Sequence, residues 1–436
     1  MNVNQKKDVS IVKATVHKGL APAAAPGSGL PAKAWYLGLL FAMAIGGLAI
    51  LQRIQGGLAV TNLTSATPWG AWVAFYIFFV GLSAGSFLLS TMIFVFKMEQ
   101  YEKVGRDALL VAILSMVLAM CFILLDLGRM GRFLNALRYW NYTSVLAWEV
   151  RFYVLYIGLL IAELYFSMRQ DLIRLSRGTG WQASLARAVS LGSTDLSGES
   201  LHRDHRMLKI LGSIGIPVAI FGVHGGTGTL FAVAKARVFW NSGLFPVIFV
   251  VSALVSGTAL LMAFYAIRTR IMGREVDKEM LKSLAGLLTL FLLVDVGLEF
   301  YEFFVGAYGL QHQELATIET IFKSPFSWSF WWVQMFLGVV VPLFIFFNRK
   351  LKESAVALTL GAVLVVIGIL GVRFNIVVPS LIVPVLQGLP GGYYHPTLME
   401  WLSSLGVIAF GLSLYTTAVK ALPIDGLEGE LGRSEG

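Results

Sequence analysis

The chain alternates between long apolar stretches and shorter polar connections over most of its length. A stretch of about 20 apolar residues is long enough to cross the hydrocarbon core of a bilayer as a helix. We predict ten such spans, at residues 34–51, 69–96, 104–127, 145–168, 208–233, 243–267, 281–307, 328–347, 355–371 and 398–422. The pattern therefore predicts an all-α, polytopic membrane protein. A composition of 57% hydrophobic and 14% charged residues agrees with this class and excludes an ordinary soluble domain.

Basic residues are concentrated in every second connection. One set of connections and both tails hold 25 of the 34 Lys and Arg residues, and the other set holds 8. Because cytoplasmic loops retain positive charge, both tails, 1–33 and 423–436, are predicted to be cytoplasmic in a bacterial or archaeal inner membrane. We predict that the outward-facing connections are 52–68, 128–144, 234–242, 308–327 and 372–397. The net charge of +9 then needs no nucleic-acid partner.

The longest internal connection, residues 169–206, is rich in Arg, Ser and Gly. An amphipathic helix near Trp181 to Val189 is one interpretation of this segment. We favour a solvated cytoplasmic linker.

An internal repeat organises the middle of the chain. Residues 82–89 align with 254–261, residues 124–128 align with 292–297, and Trp148 aligns with Trp328. The copies are separated by about 170 to 180 residues, which enclose four spans, so they share one orientation. We predict two tandem, parallel four-helix bundles at 69–233 and 234–371, with peripheral helices at 34–51 and 398–422.

Carboxylates inside the spans are the main candidates for chemistry, because burying an ionisable group in a bilayer costs at least a few kcal/mol. Asp295, Glu299 and Glu302 are spaced i, i+4 and i+7, which places them on one face of the seventh span. We predict a proton path along these acids, with Glu163 in the inner half of the fourth span. The alternative is an ion pair with Arg151 that holds helices together. The path is favoured because the seventh span carries three acids, whereas Arg151 is the only basic residue away from the ends of the predicted spans.

The outer ends of three spans carry a second group of candidates. Asp126 and Arg129 lie about one helical turn apart, Tyr139 follows them, the fourth span begins near Trp148 and Glu149, and the second begins at Trp69. Convergence of these ends would form a site for a ligand headgroup. Most of the aromatic residues can equally belong to an interfacial belt.

His224 is the only one of six histidines inside a predicted span, and Cys121 is the only cysteine. A lone cysteine cannot ligate an iron–sulfur cluster or close an internal disulfide, and a membrane haem normally takes two axial histidines. We therefore expect no haem or iron–sulfur cluster of the chain's own. His224 is either a structural hydrogen-bonding residue or a proton-transfer group.

Several of these motifs together resemble the NrfD/PsrC-type membrane subunits of quinone-linked respiratory oxidoreductases. The motifs are residues 68–70 with 81–85, residues 126–129, Trp148, residues 224–226 and residues 244–246 with 256–257. The ten-span layout is similar to the longer branch found in alternative complex III, quinone reductase complexes and sulfite-reduction-associated complexes.

The resemblance implies a subunit that binds menaquinone or ubiquinone near the outer face and is active only within an oxidoreductase complex. The implied partners are a periplasmic-side, ferredoxin-like iron–sulfur subunit and cytochrome or molybdopterin-type subunits. Catalytic roles fall to Asp126, His224 and Glu149, and positioning roles to the residues Trp69, Arg129, Tyr139 and Trp148. Asp126, Arg129, Trp69 and His224 occupy family motif positions, whereas Tyr139 and the acids of the seventh span are inferred from placement. The alternative is a secondary transporter or a proton-translocating module without quinone chemistry.

Overall fold

A computed structural model describes residues 30–95, 102–386 and 388–425. These residues contain no strand and ten helices that are long and apolar enough to cross a membrane, which confirms the predicted class and span number. The helices are α1 Leu30–Gly56, α2 Ala71–Val95, α3 Glu102–Asp126, α4 Val145–Ser176, α5 Gly198–Ala232, α6 Phe245–Ile271, α7 Lys278–Tyr308, α8 Ser329–Phe347, α9 Ala355–Ile382 and α10 Leu398–Ala421. Residues 1–29 and 426–436, which make up most of the two predicted tails, lie outside the described residues.

Helix α2 lies at the centre of the molecule. Its apolar window, Ala71–Thr91, is 100% buried, whereas that of α1 is only 17% buried. Helix α2 is hydrophobic on every side, and it is covered by α3, α5, α6 and α9. Helix α1 packs against α10 at the periphery. The division into two bundles stays a prediction.

The crossing of α2 and α6 depends on two glycines that the sequence repeat pairs with each other. A Cβ atom on Gly85 would lie 1.9 Å from the carbonyl oxygen of Ala253, and one on Gly257 would lie 2.2 Å from the carbonyl carbon of Gly85. Small residues allow helix backbones to approach closely in a membrane protein. The two backbones are therefore in direct contact at the centre of the molecule.

Helix α5 widens into π-helical turns at Val218–His224. Pro217 directly precedes them, lacks a backbone N–H and crowds the carbonyl group one turn earlier, which favours such a distortion. His224 is the last residue of the widened segment. Helix α8 has a similar segment at Ser329–Val340, which ends before Pro342.

Several predicted boundaries differ from the structure, since α4 continues to Ser176, α5 begins at Gly198 and α9 is longer than predicted. The ninth span was predicted to end at residue 371, but α9 continues to Ile382 and includes Arg373. The apolar residues that follow Arg373 continue the helix, so this charge lies within a span and not in an outer connection. The solvated linker was wrong as well, because a helix at Trp181–Val189 packs against α4 and buries Ala183 and Ala186.

We expect Gly85→Ala to destabilise the protein by about 1–3 kcal/mol, because the added methyl group would displace the backbone of α6. The measurement is thermal unfolding of the detergent-solubilised chain. Gly286→Ala is the control, since a Cβ there would meet nothing within 4 Å. Equal unfolding temperatures for both variants would contradict this account of the crossing.

Candidate functional site

Three clusters of buried polar side chains contain the acids Asp126, Glu149 and Asp295 that the sequence singled out. We call the face at which α3 ends the Asp126 face, and the face at which α4 ends the opposite face. The Asp126 cluster joins α1, α3 and α10, the Glu149 cluster joins α2, α4 and α5, and the Asp295 cluster joins α6, α7, α8 and α9. Among the described residues, no group of three or more His, Cys, Asp or Glu side chains is arranged to hold a metal ion.

The Asp126 cluster is built around a buried arginine from α1. Arg53 is 1% exposed, and it donates hydrogen bonds from Nε to the carbonyl oxygen of Leu125 at 3.0 Å and from Nη2 to that of Leu127 at 2.8 Å. It therefore caps the last turn of α3 and places a positive charge beside Asp126. The Oδ1 atom of Asp126 is buried and has no hydrogen-bond partner among the described residues.

A second carboxylate of this cluster, Glu400, lies at the start of α10. It is fully buried and forms a capping box with Thr397. The hydroxyl of Tyr394 donates to Glu400 Oε1 at 2.6 Å and accepts from the backbone N–H of Ala71 at 2.7 Å. Burial and the neighbouring Glu400 carboxylate hold the pKa of Tyr394 well above its ordinary value, so the hydroxyl stays protonated. This hydroxyl therefore ties the start of α2 to α10.

The Glu149 cluster gathers three hydroxyl groups on one carboxylate oxygen. Glu149 is 1% exposed, and its Oε1 accepts hydrogen bonds from Tyr76 at 3.0 Å, Tyr153 at 2.5 Å and Thr227 at 2.6 Å. Its Oε2 is buried and has no hydrogen-bond partner among the described residues. Because buried polar atoms are nearly always hydrogen-bonded, this oxygen is suited to hold a proton or to accept one from a bound molecule.

His224 lies one turn before Thr227 on α5 and is fully buried. Neither ring nitrogen makes a well-formed hydrogen bond with the described residues. A Cβ on Gly81 would lie 3.5 Å from Nε2 of His224 and 3.5 Å from Oγ of Ser256. The imidazole therefore faces the crossing of α2 and α6, beside the Glu149 cluster.

In the Asp295 cluster the three acids of α7 share one side of that helix, and Glu299 and Glu302 have different hydrogen-bond partners. Gln334 donates to Glu299 Oε2 at 2.9 Å, and Ser242 donates to Glu302 Oε2 at 2.9 Å. The Oδ1 atom of Asp295 is buried without a hydrogen-bond partner among the described residues. A cavity of about 30 Å³ lies between Glu299 and Glu302, which is enough for one or two water molecules.

The cation that faces these acids is Arg373, and not Arg151. Arg373 is fully buried, donates from Nη2 to Ser252 Oγ at 2.8 Å and lies 4.7 Å from the ring centroid of Phe249. Its charge acts on both Asp295 and Glu299. Hydropathy assigns Arg373 to a connection, so its role could not be seen in the sequence.

Arg151 has other partners. It donates to the backbone carbonyl oxygens of Ala136, Leu137 and Ala147 and lies 4.2 Å from the ring centroid of Trp140. The suggested ion pair between Arg151 and α7 was therefore wrong.

The predicted positioning residues do not form one group. Arg129 is exposed, Tyr139 is 65% exposed, and Trp148 is 42% exposed and donates its indole N–H to the carbonyl oxygen of Tyr142. Trp69 is half-buried and packs against Phe231 and Trp240. Glu163 lies on α4 towards the opposite face and belongs to none of the three clusters.

A family model described as "Polysulphide reductase, NrfD" matches residues 59–385, which is most of the chain. The chain therefore belongs to the NrfD family. This confirms the family that the sequence motifs suggested.

Similar proteins include a subunit of the selenate reductase of Mesobacillus selenatarsenatis, which is 37% identical over 93% of this chain and 97% of its own. The Hdr-like menaquinol oxidoreductase integral membrane subunit of Archaeoglobus fulgidus is 27% identical over 83% of this chain and 86% of its own. The menaquinone reductase integral membrane subunit of Nitratidesulfovibrio vulgaris is 24% identical over 88% of this chain and 90% of its own. These relatives are subunits of oxidoreductase complexes, which supports a role for this chain within such a complex.

We expect Thr227→Val to lower the free energy of unfolding by about 1.5–3 kcal/mol, because Glu149 would lose a buried hydrogen bond. The measurement is thermal unfolding in detergent. Thr229→Val is the matched control, since the Thr229 hydroxyl bonds only to a carbonyl oxygen of its own helix. A larger loss of stability in the control would contradict the assigned role of Thr227.

Proposed function

We propose that the chain is the quinone-reactive membrane subunit of a multi-subunit respiratory oxidoreductase. Its membership of the NrfD family and the menaquinol and menaquinone named for two of its relatives support this function. Menaquinone or ubiquinone is the proposed cofactor, and it supplies two-electron, two-proton redox chemistry. The protein would supply binding, orientation and proton transfer.

The observation that carries the proposal is that two carboxyl groups near one face each keep one buried oxygen without a hydrogen-bond partner among the described residues. These are Asp126 and Glu149, both of which lie near the Asp126 face. A quinol hydroxyl group can donate to such an oxygen, and a protonated carboxyl can donate to a quinone carbonyl. Asp126, Glu149 and His224 are thus proposed to exchange protons with the ring. Purely structural carboxylates would be expected to have both oxygens paired.

The remaining proposed roles belong to residues nearer the surface. Trp69, Arg129, Tyr139 and Trp148 are proposed to orient the quinone or to line its approach from the lipid. The half-buried Trp69 suits the first role, and the three more exposed residues suit the second.

Electrons must come from or pass to another polypeptide, because one cysteine cannot hold an iron–sulfur cluster. The proposed partner is a ferredoxin-like iron–sulfur subunit that docks at the Asp126 face, with cytochrome or molybdopterin-type subunits beyond it. In the predicted orientation this face is periplasmic and both tails are cytoplasmic.

The α7 acids are proposed to carry protons to and from the Asp126 face. Glu299 and Glu302 both line the small cavity together with Gln334 and Asn375, although most of its wall is apolar, and Ser242 connects Glu302 to a surface connection. Water in a cavity of this size would allow protons to move between the two carboxylates.

We expect Asp126→Asn to lower quinol oxidation by the assembled complex by about a hundredfold, because an amide cannot accept the proton. Turnover with a soluble quinol and an artificial electron acceptor is the measurement. Asp195→Asn is the control, because Asp195 is an exposed aspartate near the opposite face. Both complexes are first checked for subunit content. Undiminished turnover in Asp126→Asn would remove this residue from the mechanism.

A further inference from the structure

A stripe of buried polar side chains runs along α4 from the Glu149 cluster towards the opposite face. Its members, Glu149, Tyr153, Tyr156 and Glu163, are 1%, 2%, 0% and 1% exposed. Their spacing of four, three and seven residues keeps them on one face of the helix. At 1.5 Å per residue the stripe is about 21 Å long, which is most of the thickness of a bilayer core. We call these four residues the α4 stripe.

Helix α2 lines the same interior with small hydroxyl groups. Ser83, Ser86 and Ser90 are each fully buried, at spacings that again favour one face. The hydroxyl of Tyr156 donates to the backbone carbonyl oxygen of Ser83 at 3.1 Å, and Tyr76 of α2 donates to Glu149. The hydroxyls of Ser83 and Ser90 themselves donate to carbonyl oxygens of α3. Tyrosine side chains therefore join α2 to the α4 stripe at two points, Glu149 and Tyr156.

Several polar atoms along this interior have no hydrogen-bond partner among the described residues. They are Oε2 of Glu149, Oε1 of Glu163 and Oγ of Ser86, and all three are buried. Polar groups that only hold helices together would be paired with one another, because an unpaired buried group costs at least about 1 kcal/mol. Unpaired groups at intervals instead suit a chain of bound water molecules.

The α4 stripe also has a connection to the opposite face. Gln170 lies one heptad beyond Glu163 on the same side of α4, and its Nε2 donates to Oδ2 of Asp204 at 3.0 Å. Asp204 is in turn paired with Arg169 at 2.8 Å. Polar groups thus extend from the Glu149 cluster to the ion pair at the opposite face.

The second half of the chain has no such stripe among its described residues. With Trp148 aligned to Trp328, the residues of α8 that correspond to the α4 stripe are Ser329, Val333, Phe336 and Leu343. On α7, the buried residues between Asp295 and the opposite face are all apolar: Met280, Leu281, Leu284, Ala285, Leu288 and Leu292. Along α7 itself, the buried polar residues therefore extend from Asp295 only towards the Asp126 face.

We propose that protons cross the membrane along the α4 stripe, between the opposite face and the Glu149 cluster, and that the α7 acids form a branch open only to the Asp126 face. Each hydroxyl or carboxyl group in the route accepts a proton from one neighbour and gives one to the next, so no net charge stays behind. The inference rests on the proposed proton conduction and identifies the helices that carry it.

The test measures proton flux through the full chain in liposomes that contain a pH-sensitive dye, driven by a potassium gradient with valinomycin. We expect Glu163→Gln and Tyr156→Phe each to lower the flux by about tenfold or more, because each removes a proton carrier from the α4 stripe. Glu319→Gln is the control. It makes the same change in an exposed acid of the α7–α8 connection, outside both routes, and should leave the flux at the wild-type value.

Unchanged flux in Glu163→Gln and Tyr156→Phe would overturn the route, as would an equal loss of flux in Glu319→Gln. Wild-type flux no faster than that of protein-free liposomes would overturn it too. Thermal unfolding verifies that each variant is folded, and the tyrosine replacement keeps the ring. The proposed function is tested by a separate measurement, the rate of quinol oxidation by the assembled complex. Normal quinol oxidation with unchanged flux in Glu163→Gln would therefore reject only the α4 route.

Discussion

The cost of taking a polar group out of water governs this structure more than any other constraint. In a bilayer no solvent is available to repair an unmade hydrogen bond, so each buried polar atom needs a partner within the protein. Arg53 and the capping box of Glu400 meet this demand with backbone groups and neighbouring side chains. The oxygens of Asp126, Glu149 and Glu163 that do not meet it are therefore the most informative atoms in the molecule.

The close crossing of α2 and α6 brings titratable groups of other helices together. Because the backbones touch at Gly85 and Gly257, side chains on either side of the crossing are brought within a few ångströms of one another. His224 reaches the crossing from α5, and Arg373 reaches Ser252 of α6 from α9. Titratable groups from distant parts of the sequence thus share one interior, although they lie on five different helices.

The sequence was sufficient for the parts of the structure that depend on local pattern. Apolar stretches gave the number of spans, and the spacing of Asp295, Glu299 and Glu302 gave their common face. The place of Arg373 inside a helix was missed because a charged residue normally marks the end of an apolar span, whereas this helix continues beyond it. The donors to Glu149 from α2 and α5 were missed because they lie more than 70 residues away in sequence, where no local pattern connects them.

The hydroxyl of Tyr394 has a consequence for association with other proteins. It fixes the α9–α10 connection to the start of α2, and Asn62 of the α1–α2 connection donates to the carbonyl oxygen of His395 in the same segment. Two loops that would otherwise move independently are joined into one surface. A preorganised surface gives up little conformational entropy when it is covered, so more of the contact free energy remains as affinity.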